Sequence, residues 1–199
     1  MDSMKFFSPR RMTAITWGFA LLLSAAVHTG LNAQDGLKTD FFLQPEARIS
    51  KVGGGTAVVS GFNTGWVINK SLILGGTSFG TNYGIEPRMA TTDGEVKGDF
   101  RYRGGLVGWA FQPSPSLKTS ITTVVGRGKL QGIGQDNTVY ADRFWVFEPM
   151  ANVNLRVNRW AAISAGAGYR FVAGGEYQDF GAQDLRSPTA RIGVTLGGW

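Results

Sequence analysis

The 199-residue chain contains no cysteine and a single histidine, His28, which lies in its N-terminal segment. The absence of cysteine excludes a disulfide framework, a thiolate metal site, a cysteine nucleophile and a lipid anchor on an N-terminal cysteine. After His28 the chain offers no imidazole, the usual base near neutral pH, and only carboxylates as strong metal ligands. The sequence therefore predicts no catalytic residue, no metal site and no cofactor.

Charge is also scarce. Charged residues make up 17% of the chain, against about a quarter in ordinary soluble proteins. The basic residues are distributed along the sequence instead of forming a cluster, so we expect no nucleic-acid partner. No apolar run of about 18 residues follows the N-terminal segment, which excludes a bundle of membrane-spanning helices.

Residues 1–33 have the layout of a secretory signal peptide. Three basic residues precede an apolar run over about 12–27, and small and polar residues follow it. The run is short for a membrane-spanning helix, which needs about 20 residues, although an uncleaved anchor is the alternative. We expect cleavage after Ala33, which lowers the formal net charge from +6 to +4 and leaves one domain over 34–199.

The rest of the chain alternates apolar and polar residues with period two, the pattern of β-strands. Most of the predicted strands exceed the ~5–6 residues typical of soluble proteins and match the ~9–11 that cross a bilayer. We predict eight: 41–51, 56–68, 71–83, 98–111, 117–130, 141–157, 161–173 and 188–199. Short turns alternate with longer links at 84–97, 131–140 and 174–187, as in outer-membrane barrels.

The alternation is clearest in FWVFEPMANVNLRV, residues 144–157. Its apolar face would form the core of a soluble sandwich, whereas in a membrane barrel it would face lipid. We favour the barrel because the apolar faces are long and aromatic, the polar faces are rich in glycine and serine, and the chain carries an export signal. The polar residues would then face the lumen.

Eight strands enclose an interior that side chains just fill, so inward charges must be paired. We predict that ten polar residues line this lumen: Glu46, Arg48, Arg101, Arg103, Glu148, Asn152, Asn154, Arg156, Arg170 and Arg191. We expect Glu148 to approach Arg170 or another inward arginine, such as Arg103, Arg156 or Arg191. In strand 98–111, this choice of faces directs Phe100, Tyr102 and Leu106 towards lipid.

Four segments resemble the small eight-stranded outer-membrane β-barrel proteins of Gram-negative, Bacteroidetes-type bacteria, a family without an assigned activity: GWVINKSLILGG (65–76), YRGGLVGWAFQP (102–113), FEPMANVNLRVNRW (147–160) and GAGYRFVAG (166–174). The resemblance covers about 41–199. It implies an all-β fold, an eight-stranded antiparallel up-and-down transmembrane β-barrel in the outer membrane. It also implies that the barrel-assembly machinery recognises the terminal Trp199.

The resemblance implies fold and location more than activity. It also implies that barrel enzymes mostly use a histidine with a serine or an acid, and no histidine follows His28. Ser164 and Glu148 would make a poor dyad, since an ordinary carboxylate is a weak base for serine. We therefore expect a non-enzymatic structural or adhesion-type protein, or a subunit of an envelope complex, with contacts through its long links. A narrow pore or carrier with an arginine-rich lumen and a lipid-modifying enzyme are the alternatives.

The expected partners are outer-membrane lipid and lipopolysaccharide, together with a possible envelope protein. Arg127 and Lys129 lie near the end of the fifth predicted strand that leads into a long link. Basic residues at the edge of a membrane attract lipid phosphates. These two residues are therefore candidates for holding the phosphates of lipopolysaccharide.

Overall fold

The structure, a computed structural model, describes residues 37–52, 55–81, 88–91, 94–133, 139–174 and 182–197. The predicted signal peptide and Trp199 lie outside these ranges. Nine strands are present in the described ranges: β1 (Thr39–Val52), β2 (Gly55–Ile68), β3 (Leu72–Thr81), β4 (Arg88–Thr91), β5 (Gly94–Ser114), β6 (Leu117–Ile133), β7 (Val139–Arg156), β8 (Ala161–Ala173) and β9 (Ser187–Gly197).

In the part of the chain that the structure describes, no helix is long and apolar enough to cross a membrane.

Eight of the strands form a closed barrel. Consecutive strands pair antiparallel from β1 to β3 and from β5 to β9, β9 returns to β1, and β3 pairs with β5 to complete the cylinder. The short β4 pairs only with the start of β5, as a hairpin that extends the barrel wall. The predicted eight-stranded antiparallel up-and-down barrel is therefore confirmed. Closure pairs each of these eight strands on both sides, which is the condition for a sheet to span lipid.

The strands extend further into the long links than the sequence predicts. Strand β5 begins at Gly94, and the pairing of β6 with β7 continues to Ile133 opposite Val139. Strand β4 lies within the link predicted at 84–97. Ladder hydrogen bonds join backbone groups, so a hairpin can continue through polar residues after the apolar alternation has ended. Hydrophobic periodicity alone does not detect such extensions.

The turn between β2 and β3 shows why the predicted tight connection works. Asn69 and Lys70 both adopt left-handed backbone conformations, with φ of 49° and 61°, and the Ile68 carbonyl accepts a hydrogen bond from the Ser71 amide at 3.1 Å. Two left-handed central residues give a turn whose twist matches that of paired strands. The chain therefore reverses direction here in a turn with only two central residues.

The outer wall carries the apolar faces that the alternation predicts for β1, β2, β7, β8 and β9. Its exposed apolar residues include Leu43, Ile49, Phe62, Trp66, Phe147, Val153, Leu155, Ile163, Tyr169, Phe171, Ile192 and Val194. Exposed aromatic residues lie near both ends of the barrel: Phe41, Trp66, Phe111 and Trp160 towards the short turns, and Trp145, Tyr169 and Phe171 towards the long links. Such paired aromatic belts are typical of membrane barrels.

Strand β5 has the opposite orientation to the one predicted. Phe100, Tyr102 and Leu106 are buried in the lumen, and Arg101 and Arg103 are exposed on the outer wall. The lumen near the long links is filled by aromatic rings, with Phe100 stacked on Phe144 at 5.2 Å. Large apolar residues therefore face inward here and the arginines face outward. Period two identifies two faces but does not say which one is the inside.

This aromatic layer depends on a missing side chain in β6. Gly128 lies beside Phe144, and a Cβ atom at Gly128 would come within 2.1 Å of the Phe144 ring. Gly105, in the neighbouring strand β5, faces the outer wall, where the nearest heavy atom to an added Cβ would be 4.0 Å away. The two glycines therefore differ in whether the space beside them is occupied.

We predict that Gly128→Ala lowers the free energy of unfolding by about 1–3 kcal/mol, because the added methyl group overpacks the lumen. Gly105→Ala is the matched control and should change it by less than about 0.5 kcal/mol, as for other surface substitutions. Urea denaturation of the barrel refolded in detergent micelles measures both values. Equal effects of the two substitutions would contradict the proposed packing.

Candidate functional site in the barrel lumen

The structure places most of the ten predicted lumen residues inside the barrel. Seven are buried there: Glu46, Arg48, Glu148, Asn152, Asn154, Arg170 and Arg191. Arg156, near the short-turn end of β7, is half-buried. Arg101 and Arg103 lie on the outer wall and not in the lumen, contrary to the prediction, because β5 presents its aromatic residues to the lumen.

Arg48 connects four strands across the lumen. Its Nε donates to Oε1 of Glu46 at 2.6 Å, and its Nη1 pairs with Oε2 of Glu148 and donates to the Tyr102 hydroxyl at 2.8 Å. The guanidinium carbon also lies 3.7 Å from the centre of the Phe79 ring. These partners come from β1, β7, β5 and β3. A single cation thus holds two carboxylates, a phenol and an aromatic face together.

The carboxylate of Glu46 carries the network to a second arginine. Its Oε2 pairs with Nη1 of Arg191, whose Nε donates to Oδ1 of Asn152 at 2.7 Å. Gly166 leaves room for this last bond, because a Cβ there would lie 2.8 Å from Nε of Arg191 and 2.5 Å from Oδ1 of Asn152. The glycine on the polar face of β8 therefore makes space for a large charged side chain.

Glu148 pairs with an inward arginine, as expected, but the partner is Arg48 and not one of the four arginines that the prediction names. Pairing of Phe147 with Phe171 and of Met150 with Gly168 puts Glu148 level with Arg170 in the sheet. Even so, Arg170 donates to the carbonyls of Lys51 at 2.8 Å and of Leu185 at 3.0 Å. Strand register reveals neighbours along the sheet, whereas the lumen also brings together side chains from opposite walls.

A neutral hydrogen-bonded layer lies on the short-turn side of these charges. Ser164 Oγ donates to Asn154 Oδ1 at 2.6 Å, and Gln44 Nε2 donates to Thr195 Oγ1 at 2.6 Å and to Ser164 Oγ at 3.1 Å. Asn63 Nδ2 in turn donates to Gln44 Oε1 at 3.1 Å. Ser164 is thus bonded to amides and hydroxyls, while the Glu148 carboxylate faces Arg48 and Tyr102. The imagined Ser164–Glu148 dyad does not form.

The site residues missed by the lumen prediction fall into two groups. Gln44, Asn63 and Thr195 lie on the polar faces of their strands, so the alternation of apolar and polar residues also predicts an inward position for them. Tyr102 does not belong to the predicted set because the sequence pattern places the aromatic face of β5 towards lipid, whereas the structure places it in the lumen. A search for inward hydroxyls and amides, instead of charges alone, would have found the first group but not the tyrosine.

A cavity of about 50 Å³ lies beside the neutral layer and extends from Arg191 towards the short-turn end. It is lined by apolar residues such as Phe42, Val67 and Leu106 and by polar ones such as Lys118 and Thr195. A water molecule needs about 10–15 Å³ of such space, so the cavity has room for only a few. Towards the long links the lumen is filled by apolar side chains instead, among them Phe100, Phe144, Val146 and Val172.

Among the described residues, no group of three histidine, cysteine, aspartate or glutamate side chains lies close enough together to hold a metal ion.

The chain matches no protein-family model and no curated protein. Among solved structures it is similar to Neisserial surface protein A (NspA), with a TM-score of 0.61 and 12% identity over 81% of this chain and 99% of NspA. Ail, the attachment invasion locus protein of Yersinia pestis, gives a TM-score of 0.49 and 14% identity over 82% of this chain and 99% of Ail. The similarity to NspA shows that this chain has the fold of the small eight-stranded outer-membrane barrels.

The network predicts a large energetic difference between two arginines. Arg48→Met should lower the free energy of unfolding by about 3–5 kcal/mol, because it leaves the buried Glu148 and Glu46 carboxylates without a shared cation. Arg101→Met, which removes the arginine of a largely exposed pair with Asp99, should cost less than about 1 kcal/mol. Chemical denaturation in micelles measures both.

Arg48→Met/Glu148→Gln separates charge pairing from packing. The double variant removes one cation and one carboxylate, so it should recover at least half of the stability that Arg48→Met loses. A double variant no more stable than Arg48→Met alone would show that the methionine fails for reasons of shape and not of charge.

Proposed function

We propose that this protein is a non-enzymatic outer-membrane β-barrel with a closed lumen. It would act at the cell surface as a structural or adhesion-type protein, or as a subunit of an envelope complex, with its contacts at the long-link end. The observation that carries the proposal is the distribution of side chains: the exposed wall of the barrel is apolar, and its buried charges are paired or hydrogen-bonded within a filled interior.

The outer wall supports a membrane location. Soluble proteins rarely expose continuous apolar patches of more than a few hundred Å², yet exposed apolar residues line successive strands here. At the rise of about 3.4 Å per residue and the tilt of about 40° that are usual in such barrels, the eight steps from Phe147 to Leu155 give a band roughly 20 Å high, close to the ~25 Å of outer-membrane barrels. The signal peptide at 1–33, recognition of Trp199 by the assembly machinery and the Bacteroidetes-type resemblance stay predictions.

The side-chain contacts inside the lumen favour a closed barrel and not a pore or carrier. Arg48 and its partners span the lumen from one wall to the other, and the layer around Phe100 and Phe144 fills it on the long-link side. Both layers would have to move before a hydrated path could form. The cavity beside the neutral layer is large enough for a few water molecules.

The same contacts support a role other than lipid modification. Catalysis by a serine requires a base that can take its proton, and the two hydrogen-bond acceptors within reach of the Ser164 hydroxyl are an amide and another hydroxyl. The carboxylate of Glu148 is engaged by the Arg48 guanidinium in another layer. We therefore assign the lumen residues a structural role, with specific contacts made outside the barrel.

The membrane location predicts heat-modifiable migration. The unboiled protein should migrate differently from the boiled protein in denaturing electrophoresis, because the closed ladder resists detergent until heated, and it should be recovered with the outer-membrane fraction. N-terminal sequencing of that fraction should begin at Gln34. Equal migration together with recovery in the soluble fraction would refute the proposal.

The closed lumen predicts the absence of ion conduction. Wild-type protein reconstituted in planar bilayers should show no stable single-channel openings, because paired side chains and aromatic rings obstruct the lumen. Insertion is verified in the same preparation by the heat-dependent migration. Stable openings whose ion selectivity changes in Arg48→Gln would instead establish the arginine-lined pore.

A further inference from the structure

Five basic side chains lie together on the outer wall near the long links. Strand β5 contributes Arg101 and Arg103, β6 contributes Arg127 and Lys129, and β7 contributes Arg143, and all five are exposed. We refer to these residues as the basic patch. Lys129 is paired with Arg101 on one side and with Arg143 on the other, and Arg127 is paired with Arg103. The cations therefore occupy two adjacent rows across three strands.

This placement concentrates like charge. Neighbouring strands are about 4.8 Å apart, and like charges directly opposite each other destabilise a sheet. Asp99 lies 2.8 Å from Arg101 and offsets its charge. Arg103 and Arg127 lie directly opposite each other, so two cations face each other in the row nearer the barrel centre. An anionic ligand that bridges the rows would convert this repulsion into attraction.

The basic patch begins where the apolar band ends. The next outward row towards the barrel centre contains Val125, Phe147 and Phe171, with Gly105 in β5. Trp145 lies level with Arg127, whose guanidinium carbon is 4.3 Å from the centre of the indole ring. Tryptophan is characteristic of the boundary between lipid tails and headgroups. The basic patch is thus positioned at headgroup level, with apolar surface below it for acyl chains.

We propose that the basic patch is a binding site for the phosphate groups of lipid A, the glycolipid anchor of lipopolysaccharide. The inference rests on the proposed membrane location and goes beyond it by naming the lipid and its contact residues. The patch lies at the long-link end, and in outer-membrane barrels the longer loops face outward, where this lipid forms the outer leaflet. Arginine forks match phosphate oxygens in pairs, and two rows of cations suit a headgroup with more than one phosphate.

The test compares lipid A with and without its phosphates, and adds a second anionic lipid as a control for charge alone. Detergent-refolded protein is titrated with bisphosphorylated lipid A, with lipid A stripped of both phosphates, and, as a different anionic lipid, with phosphatidylglycerol. The test variant is Arg103→Gln/Arg127→Gln/Lys129→Gln, which keeps the Arg101–Asp99 pair. The matched control, Lys38→Gln/Lys70→Gln/Arg159→Gln, removes three exposed cations from the opposite end of the barrel. Heat-dependent migration verifies that each variant is folded.

Wild type and control should bind bisphosphorylated lipid A more tightly than the other two lipids, with an affinity that falls as salt is added. Each basic residue near a membrane surface contributes roughly a fivefold factor, so the test variant should lose about 100-fold in affinity. Unchanged binding by the folded test variant would overturn the site, and equal affinity for phosphatidylglycerol would overturn the assignment to lipid A. In either case a normal heat shift would leave the membrane location standing.

Discussion

The barrel depends on the burial of Arg48 between two carboxylates. An eight-stranded cylinder is too narrow for a water-filled channel, so each charge that points inward needs a partner within the lumen. Arg48 meets this requirement for Glu46 and Glu148 at once, and Glu46 extends it to Arg191. The Arg48–Glu148 pair crosses the interior between β1 and β7, and the Arg48–Tyr102 bond crosses it between β1 and β5. Neither β7 nor β5 pairs with β1. These two contacts therefore favour one arrangement of the whole cylinder, whereas each ladder selects only the register of two neighbours.

The paired interior explains how a barrel can place its apolar residues outside. In a soluble protein the hydrophobic effect would draw these side chains into the core, but here paired and hydrogen-bonded polar side chains occupy the middle of the interior and aromatic rings fill its long-link end. Lipid takes the place of the core for the apolar wall. The proposed function follows this division: the lumen would stabilise the cylinder, and recognition would fall to the outer surface and the long-link end. The proposed lipid site and the closed lumen are therefore complementary features of one design.

The orientation of β5 determines both what fills the interior at the long-link end and which residues lie on the outer wall there. The lumen changes along its axis from hydroxyls and amides, through charges, to aromatic rings. At the aromatic end, Phe100 and Tyr102 belong inside, which turns Arg101 and Arg103 outward beside Arg127. The rule that apolar residues face lipid holds along the middle of the wall, where the surroundings are hydrocarbon. It fails near the headgroups, because arginine is favoured there and the lumen can be apolar.

The class of fold, the number of barrel strands and the inward position of Glu46, Arg48, Glu148 and Arg191 could all be predicted from the amino-acid sequence, because they follow from period-two alternation and strand length. The orientation of β5 could not, since two faces of equal period can be exchanged without altering the pattern. The pairing of Glu148 with Arg48 across the lumen could not be predicted from the sequence either. Both features depend on the tertiary structure, because the curvature of the closed cylinder brings together residues about a hundred positions apart that share no strand pair.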